Sequence, residues 1–448
     1  MRHRPPTRGS AATAEKLIAR LRSRSASVAV IGLGYVGLPL ACEFSLGGFK
    51  VQGIDVDPGR VAEIGRGHSH VPDVSARRLS SALSGGRLRA TSDFAVLDGV
   101  DAVIICVPTP LRKTRDPDIS YIVSALDAAL PHLHAGTVLV LESTTYPGTT
   151  EEIILPKVES KGLRAGLDVF LAFSPERVDP GNTRFGLRNT PKIVGGITDN
   201  CGRVAQALYE QVIDQVICVS STRSAEMVKL LENTFRSVNI ALVNEMAVMC
   251  DRLGLNVWEV IDAAASKPFG FMPFYPGPGL GGHCIPIDPH YLSWKLKTLN
   301  YHAKFIELAA EINGSMPQHV VARIVEALNE QRKSVRGARI LIMGVAYKKD
   351  VGDVRESPAL DIIKLLADRG ADIRYNDPHA GEITVDGGHV YRSVRLAEET
   401  LRKEDLVVIV TDHSSYDYEF VVANSRCVVD TRNATRHVRS GREKIRRL

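Results

Sequence analysis

The segment VAVIGLGYVG, residues 28–37, constrains the fold more than any other stretch of the chain. A short apolar run ends in Gly32, Gly34 and Gly37, and the next apolar run, FKVQGIDVD, reaches Asp55 21 residues after Gly34. This spacing predicts a strand, a tight turn and a helix whose N-terminus faces a pyrophosphate. The first glycine allows the turn, the second lets backbone approach the ligand, and the third lets helix pack on strand. Tyr35 and Val36 complete the loop. An acid at the end of the second strand accepts from both ribose hydroxyls and repels a 2′-phosphate, which favours NAD over NADP. Arg60 also bears on that choice, although it lies five residues beyond the acid.

From Val28 onward, apolar runs alternate with helical stretches, and the rhythm restarts beyond Gly337 with ARILIMGVAY, ADIRYNDP, LVVIVTD and CVVDTRN. The fold expected is α/β, with two Rossmann-like doubly wound parallel-sheet domains joined by a helical middle domain. The expected bounds are a basic flexible tail over 1–26, with a short helix around Ala14 to Arg22, and an NAD-binding domain over 27–222. A helical middle domain with the cysteine loop follows over 223–332, and a C-terminal Rossmann-like domain over 333–448. A long helix from Ser224 is expected to bury the stripe Met227, Leu231, Val238 in the middle domain.

Composition narrows the classes. At 448 residues the chain is long enough for about three domains, and no run of ~18 uncharged apolar residues is present to cross a bilayer. Formal net charge is +5, but residues 1–26 and 431–448 each hold seven Lys or Arg against one acid, leaving 42 − 49 = −7 for the body. That balance offers no nucleic-acid surface. Seven scattered cysteines without CxxC or Cys/His spacing argue against a disulfide framework or structural zinc, so a reducing, cytoplasmic setting is expected and no metal.

Cys284 stands in PFYPGPGLGGHCIPIDPHYL, where glycines let backbone wrap closely around a ligand. A buried structural cysteine more often sits on an apolar strand or helix, so Cys284 is the candidate nucleophile, with Asp288 the nearest acid after it. Lys229 and Asn233, at i and i+4, share one helical face opposite the apolar stripe, a spacing that also fits a solvated pair. Glu176 after a strand-ending SP also fits a turn acid. Lys348 and Arg355 alone fit surface charges.

Together these segments resemble the UDP-glucose/GDP-mannose dehydrogenase family. GLGYVG, VPTP (107–110), ESTTYPG (142–148), SPERVDPG (174–181), KLLEN (229–233), GGHCIPIDP (281–289), YKKDVGDVRESP (347–358), TDHSSYD (411–417) and DTRN (430–433) occur in the family's order. The resemblance implies two Rossmann-like domains joined by a long helix that also forms a homodimer, NAD on the first domain, and a nucleotide-sugar between domains. Cys284 matches the family's nucleophile, Lys229 and Asn233 its lysine and asparagine, Asp288 its acid, Glu176 its general base and Thr144 its active-site threonine. Thr109 matches a cofactor position. Phe274, Tyr275, Gly281, Lys348 and Arg432 match substrate positions. ESTTYP is one residue longer between threonine and proline than the pattern of some members, which leaves Thr144 and Thr145 as alternatives, and RVDPG leaves the family's second acid unmatched. The cysteine loop is most similar to that of the UDP-N-acetylglucosamine 6-dehydrogenases, with UDP-glucose or dTDP-glucose as alternative substrates.

The chemistry fits these roles. Oxidising a primary alcohol to a carboxylate removes four electrons, so one site must release two hydrides and hold the aldehyde between them. A thiolate that captures the aldehyde as a thiohemiacetal leaves a thioester after the second hydride, and water then hydrolyses it. Lys229 can stabilise negative oxygen and Glu176 can take a proton from the water. A two-electron hydroxyacid dehydrogenase needs neither Cys284 nor the second α/β domain, and a non-catalytic binding protein needs none of Cys284, Lys229 and Glu176.

Overall fold

The computed structural model describes residues 8–112, 116–179, 182, 184–282, 284–385 and 387–448. It divides into two compact units, the chain through Glu232 with Trp294–Asn300, and Asn233–Ser293 with Tyr301–Leu448.

The first unit is built on eight strands: β1 (Ser27–Ile31), β2 (Lys50–Ile54), β3 (Leu88–Thr91), β4 (Ala102–Ile105), β5 (Thr137–Leu141), β6 (Val169–Phe173), β7 (Lys192–Gly196) and β8 (Val216–Val219). Their order is β3-β2-β1-β4-β5-β6-β7-β8, parallel except for β6 against β7. β4, β5 and β6 are buried along their whole lengths, the signature of strands covered on both faces. The order reverses between β1 and β4, and such a switch point leaves a crevice at the carboxyl ends of the strands.

Near the N-terminus, the short helix expected around Ala14 to Arg22 is present as α1 (Arg8–Arg22), but it is docked rather than part of a flexible tail. Ala14, Leu17, Ile18 and Leu21 are buried, and the helix packs on the helix Asp199–Tyr209. Counting charges concealed that apolar face, which recurs every three or four residues between the basic ones.

In the second unit, β9 (Arg339–Met343), β10 (Asp372–Asn376), β13 (Leu406–Ile409), β14 (Val428–Asp430) and β15 (Ile445–Arg447) form a parallel sheet ordered β10-β9-β13-β14-β15. A hairpin of β11 (Glu382–Val385) and β12 (His389–Arg392) is inserted. The switch point lies between β9 and β13, above Gly344–Tyr347 and Val410–His413. Helical segments Thr222–Leu253, Val257–Ala265, Asp288–Lys297 and Lys304–Glu330 lie between the two sheets in the chain.

The long helix Thr222–Leu253 is arranged opposite to expectation. Met227 and Leu231 are 37% and 60% exposed, while Glu226, Lys229, Asn233, Ser237 and Asn244 on the other face are buried. Apolar periodicity identifies a stripe but not what covers it, and here the polar stripe turns inward.

Candidate active site

In the first unit, the glycine loop, Asp55, Thr109, Thr144 and Glu176 follow the ends of strands, while Lys229 stands on the long helix. Gly32 has φ +92°, and a Cβ there would stand 2.6 Å from the Cys106 carbonyl oxygen, while one on Gly37 would stand 1.8 Å from the Gly32 oxygen. A Cβ on Gly34 would meet no protein atom within 4 Å, so the loop backbone is open on that side. The helix α2 (Gly37–Leu46) begins at Val36 with no side chain capping it; Leu38 N–H donates to the Gly34 carbonyl at 3.1 Å and Pro39 has no N–H, so an anion would meet the loop backbone and the positive end of the helix dipole. Asp55 is buried and accepts from the Leu33 N–H at 2.9 Å. Arg60, distant in the linear pattern, is brought beside the acid, with Nη1 3.0 Å from Oδ2. Tyr35 is 46% exposed, and Thr109 is partly buried beyond β4. These residues fit a dinucleotide: the glycine loop would hold the pyrophosphate and Asp55 the adenosine ribose, and the bound cofactor would serve as hydride acceptor.

Beyond β5, Thr145 is buried and its hydroxyl lies 2.5 Å from that of Thr149, whereas Thr144 is partly exposed. The loop is fastened to the long helix by Glu226, whose carboxylate accepts from Gly148 N–H at 2.6 Å, Thr150 N–H at 3.0 Å and Thr150 Oγ1 at 2.7 Å. Lys229 follows one helical turn later and is buried. Beyond β6, Glu176 Oε1 accepts from Val178 N–H at 2.5 Å, so the acid is also a turn acid. Desolvation raises its pKa above the ordinary carboxylate range, against the opposing pull of Lys229. Arg177 next to it forms a two-point ion pair with Glu232, the closer contact being 2.6 Å.

In the second unit, Asn233 Nδ2 donates to Asp288 Oδ2 at 2.5 Å, and both are buried. Arg236 donates to the Asn233 side-chain oxygen. Asp288 N–H donates to the Cys284 carbonyl at 2.8 Å, forming the turn into the helix Asp288–Lys297. Cys284 is half-buried, while Cys42, Cys106, Cys201, Cys250 and Cys427 are buried. Burial pushes the Cys106 thiol well above its ordinary range, which makes it inert. A Cβ on Gly281 would come within 2.6 Å of Tyr347 Cβ, so glycine is required where the cysteine loop crosses the loop after β9. Lys348 is partly buried on that same loop. Arg432 donates to the Val410 carbonyl at 3.0 Å and its guanidinium lies against Gly277. Phe274 packs edge-on to Phe235, and Tyr275 stacks on Trp258 and donates to Asp262 at 2.9 Å.

Among the described residues, Asp350, His379 and His413 form a cluster of metal-ligand types. His413 Nδ1 accepts from Asp350 N–H and Nε2 lies 3.0 Å from Asp377, so both ring nitrogens are engaged. Glu226 and the Arg177–Glu232 pair were not found from sequence. A polar stripe at helical spacing, Glu226, Lys229, Asn233, was the available signal.

A nicotinamide-dependent, two-Rossmann oxidoreductase is the class this fold and dinucleotide site define. The chain belongs to the UDP-glucose/GDP-mannose dehydrogenase family: residues 26–213 match its NAD binding domain, 223–315 its central domain and 341–437 its UDP binding domain. It is therefore an NAD-dependent nucleotide-sugar dehydrogenase. It is 36% identical to the UDP-N-acetyl-D-glucosamine 6-dehydrogenase of Pseudomonas aeruginosa, over 87% of this chain and 91% of that protein. It is also 36% identical to the UDP-N-acetyl-D-mannosamine dehydrogenase of Pyrococcus horikoshii, over 91% of this chain and 95% of that one. A solved structure of the UDP-D-ManNAc dehydrogenase from Pyrococcus horikoshii superposes with a TM-score of 0.85 at 34% identity, covering 94% of this chain and 98% of that chain. No helix among the described residues is long and apolar enough to cross a membrane.

Proposed function

We propose that the chain oxidises the C6 primary alcohol of a UDP-N-acetylhexosamine to the uronic acid, with UDP-N-acetylglucosamine as the leading substrate. The observation that carries the reading is the buried Asn233–Asp288 bond, which ties the long helix to the turn that starts at Cys284. The C6 alcohol gives up one hydride and its hydroxyl proton to become an aldehyde. The Cys284 thiolate adds to the aldehyde carbon, and a second hydride leaves from the thiohemiacetal to give a thioester. Water then adds to the acyl carbon, its proton passes to Glu176, and the C–S bond breaks with its electron pair leaving on Cys284. Lys229 stabilises oxygen that carries negative charge in these steps. Engagement of the Thr145 hydroxyl with Thr149 supports Thr144 over Thr145 as the active-site threonine. Asp55 with the glycine loop, Tyr35, Val36, Arg60 and Thr109 hold NAD. Phe274, Tyr275, Gly281, Lys348 and Arg432 contribute to the nucleotide-sugar site.

The equal identity to a UDP-N-acetyl-D-mannosamine dehydrogenase favours the 2-epimer as a second reading. UDP-glucose and dTDP-glucose are weaker alternatives. The enzyme acts as a homodimer in a reducing, cytoplasmic setting, supported by the exposed apolar stripe of the long helix and by free cysteines. Purified enzyme with NAD and a panel of UDP-, dTDP- and GDP-hexoses, read by NADH absorbance, tests the assignment. Two NADH per UDP-N-acetylhexosamine are expected. One NADH per sugar, or turnover confined to UDP-glucose, contradicts it.

A further inference from the structure

Two ionisable groups lie in the interior of the first unit with no part in the steps above. Glu142, one residue past β5, and Lys192, the first of β7, are 1% and 4% exposed and form an ion pair. Tyr209, from the helix Asp199–Tyr209, donates its hydroxyl to the other Glu142 oxygen at 2.6 Å, and the Lys192 ammonium lies 4.9 Å from the centre of its ring. Taking two charges out of water is costly, and apolar side chains of similar size often replace such a pair without loss of stability. Stability alone therefore does not account for the pair.

Its position does. β6 and β7 run antiparallel with Ala172 opposite Gly196 and Phe173 opposite Gly195, so facing residue numbers sum to 368. The last paired residues, Phe173 and Gly195, lie three positions along their strands from Glu176 and Lys192 respectively. The Ser174 hydroxyl donates to the Ile193 carbonyl at 2.8 Å and extends the strand contact past its last ladder bond. Glu142 stands beside Ser174, whose N–H donates to the Leu141 carbonyl at 3.0 Å, and it precedes Thr144 by two residues. One buried pair thus links the end of β5, which leads to Thr144, with the start of β7, on either side of the β6 end that leads to Glu176.

We propose that the Glu142–Lys192 pair, held by Tyr209, is a positioning element for the turn that carries Glu176. The proposal rests on the reading of Glu176 as the base in thioester hydrolysis. The charged and titratable groups that act on Glu176 are Lys229 from the long helix, Lys192 from β7, Glu142 from β5 and Cys106 from the end of β4. Lys192 draws the Glu176 pKa down and Glu142 pushes it up, the lysine having the larger effect. Removing both charges therefore leaves Glu176 harder to ionise.

The test compares Glu142→Leu/Lys192→Met, an apolar replacement of similar volume, with Lys192→Arg, which keeps the cation. Rates are referred to active sites counted by the first-hydride burst, so that loss of folded protein is not read as loss of hydrolysis. The double variant should lose at least roughly tenfold in kcat. It should accumulate an acyl adduct on Cys284 by mass spectrometry and move the acid limb of hydrolysis to higher pH, with the KM for NAD unchanged. Lys192→Arg should keep the wild-type limb. A double variant with wild-type kcat, no adduct and an unmoved limb overturns the proposal, as does an acid limb moved to higher pH in Lys192→Arg. Glu176→Gln assayed beside them separates the two readings. If it traps no adduct, the assignment of Glu176 as base fails; if it traps one while the double variant does not, only the role of the pair fails.

Discussion

Glu226 sits almost fully inside the first unit with no cation paired to it among the described residues, and three donors from Gly148 and Thr150 converge on its carboxylate. Burial nevertheless raises its pKa to about 7, from 4.5 for an ordinary glutamate. A raised acid pKa means that the folded chain holds a proton the unfolded chain has released between those two values. Stability from this group is therefore greatest below about pH 4.5, falls as pH rises toward about 7 and levels off above it. Thermal melts of wild type and Glu226→Gln between pH 4.5 and 7 should show this slope reduced in the variant; parallel curves would contradict the assignment. The dinucleotide loop was legible because Gly32, Gly34, Gly37 and Asp55 are fixed by local backbone needs. Glu226 and Lys192 were not, because their partners lie 76 and 50 residues away in the chain and only the folded sheet brings them together.

At the scale of the element, the long helix separates its two faces sharply. Met227, Leu231, Phe235, Leu242, Met249 and Leu253 fall on one stripe at 100° per residue, and every one is at least 37% exposed. A stripe of this kind is the surface that the proposed homodimer would cover. Leu242, 55% exposed, lies near the middle of the helix and away from Lys229 and Asn233. Leu242→Glu should convert a homodimer to a monomer by light scattering at micromolar concentration with the helical circular dichroism retained. A wild type that is itself monomeric there removes the dimer. The sequence pattern located this helix almost to the residue, since Ser224 to about Gly254 became Thr222–Leu253. It assigned the wrong face to the interior because hydrophobic periodicity carries no information about whether the covering surface belongs to the same chain.

At the scale of the whole molecule, each sheet reverses its strand order once and carries its candidate groups at the carboxyl ends of its strands. In the first unit these are the glycine loop, Thr144 and Glu176, and in the second Lys348 and Arg432. Both Rossmann-like sheets were legible because buried parallel strands read as short unbroken apolar runs, such as AVII of β4 and LVVI of β13. The proposed four-electron oxidation turns on the fate of Cys284. Its most direct measurement is intact-protein mass spectrometry of Glu176→Gln and Cys284→Ser after incubation with NAD and UDP-N-acetylglucosamine. Glu176→Gln should carry the mass of the uronyl group as a thioester on Cys284, because the water lacks its base. Cys284→Ser should stall before the second product and make no uronic acid at the wild-type rate. Uronic acid formed by Cys284→Ser at the wild-type rate with two NADH per sugar would contradict the covalent account.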